Sequence, residues 1–480
     1  MTVHKNYIDG EWRDGAEVCE NVNPSDISDV VGAYAFADAA QAREAIAAAR
    51  AAFPAWSRSP LEQRALILER IANEIVARRE ELGELLSREE GKIRAEGIGE
   101  VDRAANFVKY LAGEVFRIEG SRLASVRPGI EVETTRAPLG VIAAITPWNY
   151  PLANGAYKIA ASIAYGNCVV LKPSEFAPGS AWAFAEIISR SRLPAGVFNL
   201  VMGEGRTAGE AIATSPDIDG VTFTGSVPIG RLVLENAAEH QAKVQLELGG
   251  KNPLIVLDDA DPKVAVDVAL YGAFSQTGQR CTASSRLIVT KGIYKQFVDA
   301  LAERTKALVV GHALEDESEI GPVVSQAQLE KDLSYIELGR QEGARHLWGG
   351  EKINRETDGH FLSPALFVDA SNDMRINREE IFGPVTAVIP AGDYEEALDL
   401  ANDTDFGLSS GIVTTSLKYA DHFKHHSEAG VAMINLPTAG IDYHVPFGGR
   451  KASGYGPREH GRTGSDFFTD IRTSYTAADQ

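Results

Sequence analysis

From about residue 139 to residue 250, short apolar runs (GVIAAIT, NCVVLKP, GVFNLVMG, GVTFTGS and KVQLELGG) alternate with segments of helical character such as LANGAYKIAASIAY and SAWAFAEIISRSR. Each run starts or stops at Gly, Pro or Asn. Runs this apolar suit strands buried on both faces, and parallel strands need helical crossovers between them. The pattern predicts an α/β fold with a parallel sheet covered by helices. Ligands of such sheets sit at the carboxyl ends of the strands. The residues there are Thr146 to Asn149, Lys172 to Glu175, Thr224 to Ser226 and Glu247 to Gly250.

The flanks extend this reading. YIDGEW puts Asp9-Gly10 between strand-forming residues, a hairpin signal. Asp38 is placed to cap a helix over DAAQAREAIAAARAAFPAW. PLEQRALILERIANEIVARREELGELLSREEGK opens on Pro60 and carries Leu66, Leu68, Ile71, Ile75 and Val76 at helical spacing, so one long helix is predicted, its charges solvated. After NPLIVLDDAD, Asp261-Pro262 begins another helix, and SRLIVTKG reads as the next strand. Cys281 therefore falls on a loop between helix and strand.

A chain of 480 residues exceeds one compact domain and suggests two or three. Its formal net charge of -20 argues against nucleic acid as a partner. The start, MTVHKNYIDGEW, has no secretory h-region, and no apolar run is long enough for a membrane span. Three scattered cysteines, Cys19, Cys168 and Cys281, form no metal-binding or disulfide pattern, so no metal site and a cytoplasmic location are expected.

Taken singly, the polar residues leave both readings open. FTGSVPIG runs a strand through Gly225 and Ser226 into a helix, whose N-terminus suits a phosphate, or merely makes a turn. Glu175 after a buried strand could accept ribose hydroxyls, with Lys172 beside it, or cap a helix. Cys281 in QTGQRCTASS is too polar in setting to be core, and Glu247 could serve it as base, or simply be solvated.

Their joint order is more specific. Asn149 in TPWNYP, FTGS, Glu247 in ELGGKNP, Cys281 in GQRCTA, EEIFGP and PFGGRKASGYG occur in the order of the NAD(P)-dependent aldehyde dehydrogenase superfamily. The chain resembles that family over nearly its whole length. The resemblance implies a Rossmann-type cofactor domain (1–116 and 139–248), an α/β catalytic domain (249–452) and a small β oligomerisation element (117–138 and 453–480), assembled as a homodimer or homotetramer. It implies Cys281 as nucleophile, Asn149 as oxyanion donor, Glu247 as base for the deacylating water and Lys158 as an aid to proton movement. Cofactor contacts would come from Thr146, Trp148, Lys172, Glu175, Gly225, Ser226, Glu380 and Phe382. Glu175 would repel a 2′-phosphate, so NAD is expected, with some use of NADP through Lys172.

The family positions for the aldehyde pocket are Tyr150, Asn154, Tyr157, Arg280, Thr282 and the loop containing His444. The C-terminal stretch resembles a branch that includes 2,5-dioxopentanoate dehydrogenases, whose anionic substrate would want a cation; Arg280 and His444 are the candidates. Arg280 could instead buttress its loop. A neutral or aromatic aldehyde held between Tyr150 and Tyr157 is the rival. A CoA-acylating enzyme would not need Glu247, and a silent structural protein should have lost Cys281, Glu247 or Asn149.

Overall fold

The computed structural model describes residues 2–477. Two sheets dominate. In the first, five parallel strands lie side by side in the order Lys243–Leu248, Gly220–Gly225, Val141–Ile145, Cys168–Lys172 and Phe198–Leu200. The chain begins at the central Val141–Ile145 strand, builds outward on one side, then crosses back to build on the other. That reversal opens a crevice at the carboxyl ends. The Asn6–Ile8 and Glu11–Arg13 hairpin extends one edge antiparallel, turning through Asp9 and Gly10 at φ +54° and +79°. Gly454–Tyr455 adds to the other.

The second sheet has Asn252–Val256, Ser284–Thr290, Val385–Ala391, Ala365–Val368, Ser409–Val413 and Val431–Ile434 in parallel, with Arg345–Trp348 antiparallel at one edge. Its hydrophobic cores lie on both faces, which explains strands buried at every position, such as Asn252–Val256. The crossing from Leu248 to Asn252 takes three residues, so the carboxyl end of one sheet meets the amino end of the other.

Helix starts follow their sequence signals. Asp38 accepts from Gln41 N–H ahead of Ala39–Trp56, and Asp261 accepts from Val264 N–H ahead of Pro262–Phe274. The predicted long helix is two: Leu61–Ala77 and Arg79–Glu90, broken at Arg78 and ended by Gly91 at φ +90°. Leu68, Ile71 and Ile75 are buried, whereas Leu66 and Val76 remain exposed. Not all of its charges are solvated either: Glu89 and Glu90 are buried.

A third sheet pairs the Ser121–Ala124 and Ile130–Pro138 hairpin with the C-terminal Thr469–Ala477. Within 453–480, Gly454–Tyr455 and the Phe467-Phe468 pair instead join the first sheet and its core. Among the described residues no helix is long and apolar enough to cross a membrane, and no cluster of three or more His, Cys, Asp or Glu could hold a metal ion.

Candidate active site

Cys281 sits on a loop that the surroundings over-determine. Gln276, Thr277 and Gly278 have φ of +51°, +57° and +68°, a left-handed run costly for two residues that carry a Cβ. Gln276 N–H donates to the Glu96 carboxylate at 2.9 Å, and Thr277 Oγ1 donates to Gly321 O at 3.0 Å. The Gln279 amide oxygen accepts from Val324 N–H at 2.9 Å. Asn252 donates to the carbonyls of Cys281 and Ala283 at 2.7 and 2.9 Å. Arg280 belongs to this bracing. Its guanidinium donates to Tyr271 O and Gly272 O at 2.8 and 2.9 Å and lies over the Tyr271 ring. Held on those two carbonyls, Arg280 does not line the cleft that Cys281 lines. Thr282 is also outside that cleft, buried, its carbonyl accepting from Thr438 Oγ1 at 2.6 Å.

The cleft holds about 220 Å³ and is lined by Trp148, Asn149, Tyr150, Asn154, Glu247, Cys281 and Glu459, with Thr224, Gly225 and Ser226 from the first sheet and Glu380 and Phe382 from the loop before the second-sheet strand Val385–Ala391. Burial pushes the Cys281 thiol up to about 12, with Glu380 and Glu247 adding to it, so the sulfur is a protonated thiol here. Asn149 Nδ2 donates to Gln279 O at 3.0 Å, which ties it to the cysteine loop.

Behind Asn149 lies a buried charge cluster that sequence spacing missed. Lys92 Nζ donates to Asn149 O at 2.8 Å and to Glu100 Oε2 at 2.5 Å, pairs with Glu90 at 3.1 Å, and sits 4.5 Å from the centre of the Tyr150 ring. The other Glu100 oxygen accepts from Leu152 and Ala153 N–H at 2.9 and 3.0 Å, capping the Pro151–Ala164 helix. Burial opposes the Lys92 charge, but Glu100 and Glu90 outweigh it and raise its pKa. The available signal was Gly91, whose left-handed turn swings Lys92 inward.

Glu247 ends the Lys243–Leu248 strand, buried, with Oε2 lacking a hydrogen-bond partner. Burial raises its pKa well above the usual range, Glu459 raises it further, and Lys158 opposes. Lys158 is fully buried, ion-paired with Glu459 and donating to Thr222 Oγ1 at 2.8 Å. Glu459 and Glu247 both line the cleft. Tyr157 departs from expectation. It packs in the core against Phe107, His460 and Phe468 and does not line the cleft. Asn154 and Tyr157, one turn apart, share a helix face, but Phe107, His460 and Phe468 bury the Tyr157 ring behind the cleft wall. His444 lines a separate open hollow with Tyr110, Glu114, Arg117, Tyr443 and Arg462.

Comparison with known proteins completes the picture. A sequence model of the aldehyde dehydrogenase family matches residues 12–474. The chain belongs to the aldehyde dehydrogenase family. It is 42% identical to an α-ketoglutarate semialdehyde dehydrogenase of Haloferax volcanii, over 98% of each chain. It is 41% identical to an α-ketoglutaric semialdehyde dehydrogenase of Bacillus subtilis, over 99% of this chain and 98% of that one. Among solved structures, a betaine aldehyde dehydrogenase of Staphylococcus aureus in complex with NAD+ is 34% identical, covering 99% of this chain and 95% of its own, with a TM-score of 0.97. As a member of that family the chain is an oxidoreductase, and NAD+ is the cofactor bound in the Staphylococcus aureus enzyme.

The residues present fit that cofactor. Thr146 Oγ1 and Thr224 Oγ1 are buried without partners at the carboxyl ends of adjacent strands. Ser226 precedes the Val227–Glu239 helix without using its side chain as a cap. Glu380 accepts from Gly250 N–H at 2.8 Å, and a Cβ on Gly249 would stand 2.1 Å from its Oε2. Phe382 meets Trp148 edge to face at 5.3 Å. Lys172 is buried and paired at 3.3 Å with the more exposed Glu175.

Proposed function

We propose that this aldehyde dehydrogenase oxidises a carboxylated semialdehyde, 2,5-dioxopentanoate, to its dicarboxylic acid. The observation carrying this substrate is that three relatives 39–42% identical over the full chain are α-ketoglutarate semialdehyde or 2,5-dioxopentanoate dehydrogenases. The betaine aldehyde dehydrogenase of Bacillus subtilis, at 37% identity, leaves a cationic aldehyde as the competing reading. The test is initial-rate kinetics with NAD on 2,5-dioxopentanoate, betaine aldehyde, pentanal and benzaldehyde. The highest kcat/KM on the first supports the proposal; a higher value on any other contradicts it.

In the mechanism we assign, the Cys281 thiol gives its proton to solvent water in the cleft, and the thiolate sulfur bonds to the aldehyde carbon, leaving Glu247 free to act as base on the hydrolytic water. The raised pKa of Glu247 makes it the stronger base when ionised. The oxyanion is held by the Asn149 amide and the Cys281 N–H, donors aimed at charge that develops during reaction. Thr146, Trp148, Lys172, Glu175, Gly225, Ser226, Glu380 and Phe382 would hold NAD, which would supply the hydride acceptor. Cys281 then carries a thioester. Glu247 deprotonates a water, which adds to the thioester carbon and expels the thiolate. Glu459 and Lys158 pass the released proton onward. Glu247 therefore favours hydrolysis over acyl transfer to CoA.

The reading of residues 117–138 and 453–480 as an oligomerisation element, of which 478–480 lie outside the described residues, is supported by exposed apolar side chains on its sheet, Leu123, Ile471 and Tyr475. The separation of the first two sheets supports the cofactor and catalytic division. Three free cysteines favour the cytoplasm.

A further inference from the structure

Arg103 stands on the Arg94–Glu114 helix, three residues after Glu100 and four before Phe107, on one face. Glu100 holds the N–H groups of Leu152 and Ala153, so this face is turned to the segment bearing Asn149 and Tyr150. The Arg103 guanidinium lies 5.0 Å from the centre of the Phe107 ring. One of its nitrogens donates to the carbonyl of Ile441, in the loop before His444. Its charge acts on Tyr150, Cys281, Glu100 and Asp442, two of which line the cleft.

Lys92 and Lys158 carry counter-ions, whereas Arg103, like Lys331 on the cleft wall, has none among the described residues. Lys92 is paired with Glu100 and Glu90, and Lys158 with Glu459. Arg280 is spent on carbonyls. Among the described residues Arg103 makes no salt bridge, although it is largely shielded from water, and its one hydrogen bond leaves most of its five donors unused. A half-buried guanidinium without an anion is costly unless something else supplies the anion.

We propose that Arg103 binds the carboxylate at the far end of the aldehyde substrate. This rests on the carboxylated-semialdehyde reading above and gives it the cation that Arg280 does not provide. A five-carbon chain places its carboxylate about 5 Å from the aldehyde carbon, a span set by bond lengths. In the pose we assign, that carbon sits at Cys281 and the carboxylate is directed past Tyr150 to the Arg103 guanidinium. The planar guanidinium matches a carboxylate with paired donors. A neutral aldehyde would leave the charge uncompensated.

The test compares wild type, Arg103→Gln and Arg103→Lys on 2,5-dioxopentanoate and on pentanal. Loss of a charge-assisted pair should raise KM for the dioxo acid about 10- to 100-fold, with kcat altered less than about threefold and pentanal kinetics unchanged. Arg103→Lys should recover part of the loss, and it carries the same test if the Gln variant does not fold. If either variant changes both substrates equally, or neither, while wild type prefers the dioxo acid, the Arg103 assignment falls and the substrate reading stands. If wild type itself has no preference for the dioxo acid, both fall.

Discussion

The Lys92 ammonium donates a 2.8 Å hydrogen bond to the main-chain carbonyl of Asn149, whose side-chain amide reaches Gln279 on the cysteine loop. A buried cation thus fixes the backbone of the residue assigned to the oxyanion. Lys92→Met would leave Glu90 and Glu100 facing each other without it. The expected cost is about 3–5 kcal/mol of stability, the usual result of breaking a buried pair from one side. Thermal unfolding checks this, and a loss below about 1 kcal/mol would show the cluster to be dispensable.

Asn149→Ala should lower kcat about 100- to 1,000-fold while NAD affinity stays near that of wild type. Steady-state kinetics and a direct NAD titration separate the two. A fall in NAD affinity matching the fall in kcat would make Asn149 a cofactor residue instead.

Arg280→Leu removes the brace on Tyr271 and Gly272 and frees their carbonyls. Activity on carboxylated and neutral aldehydes should fall together, with a lower melting temperature. A loss confined to carboxylated aldehydes would return Arg280 to the substrate pocket.

Glu175→Gln leaves Lys172 without its ion-pair partner and removes the repulsion of a 2′-phosphate. The ratio of kcat/KM for NADP over NAD should rise about tenfold or more. An unchanged ratio would place the discrimination elsewhere.

The thiol of Cys281 stands at about 12 because burial disfavours its anion. Below that value the ionised fraction grows tenfold per pH unit. Alkylation by iodoacetamide without cofactor, followed at the Cys281 peptide, should therefore rise about tenfold per unit from about pH 6 to 9. A plateau within that range would mean a thiolate already present.

Legibility in the sequence varied with the range of the interactions involved. Local signals read well: the Asp9-Gly10 hairpin, the Asp38 and Asp261 caps and the strand-to-helix turn at Ser226 are each written within a few residues. The carboxyl-end rule brought Asn149, Thr224 and Glu247 to one place before any contact was known. Long-range electrostatics did not read. Glu90, Lys92 and Glu100 look like the solvated charges around them, and their partner Asn149 lies 57 residues beyond Lys92. Tyr157 was misplaced because family position names a helix turn but not the face that packing will bury. Arg103 was overlooked because a lone arginine on a charged helix has no local mark. What separates it from Lys92 and Lys158 is that, among the described residues, no carboxylate pairs with it.

The most direct test of the account is rapid mixing of the Glu247→Gln variant with NAD and 2,5-dioxopentanoate. Cys281 should still form the thioester, whereas hydrolysis should stall. The account predicts a burst approaching one NADH per subunit, followed by turnover about 100-fold or more below wild type, with no NADH at all from Cys281→Ala. Steady-state turnover at the wild-type rate in Glu247→Gln, or NADH from Cys281→Ala, would contradict it.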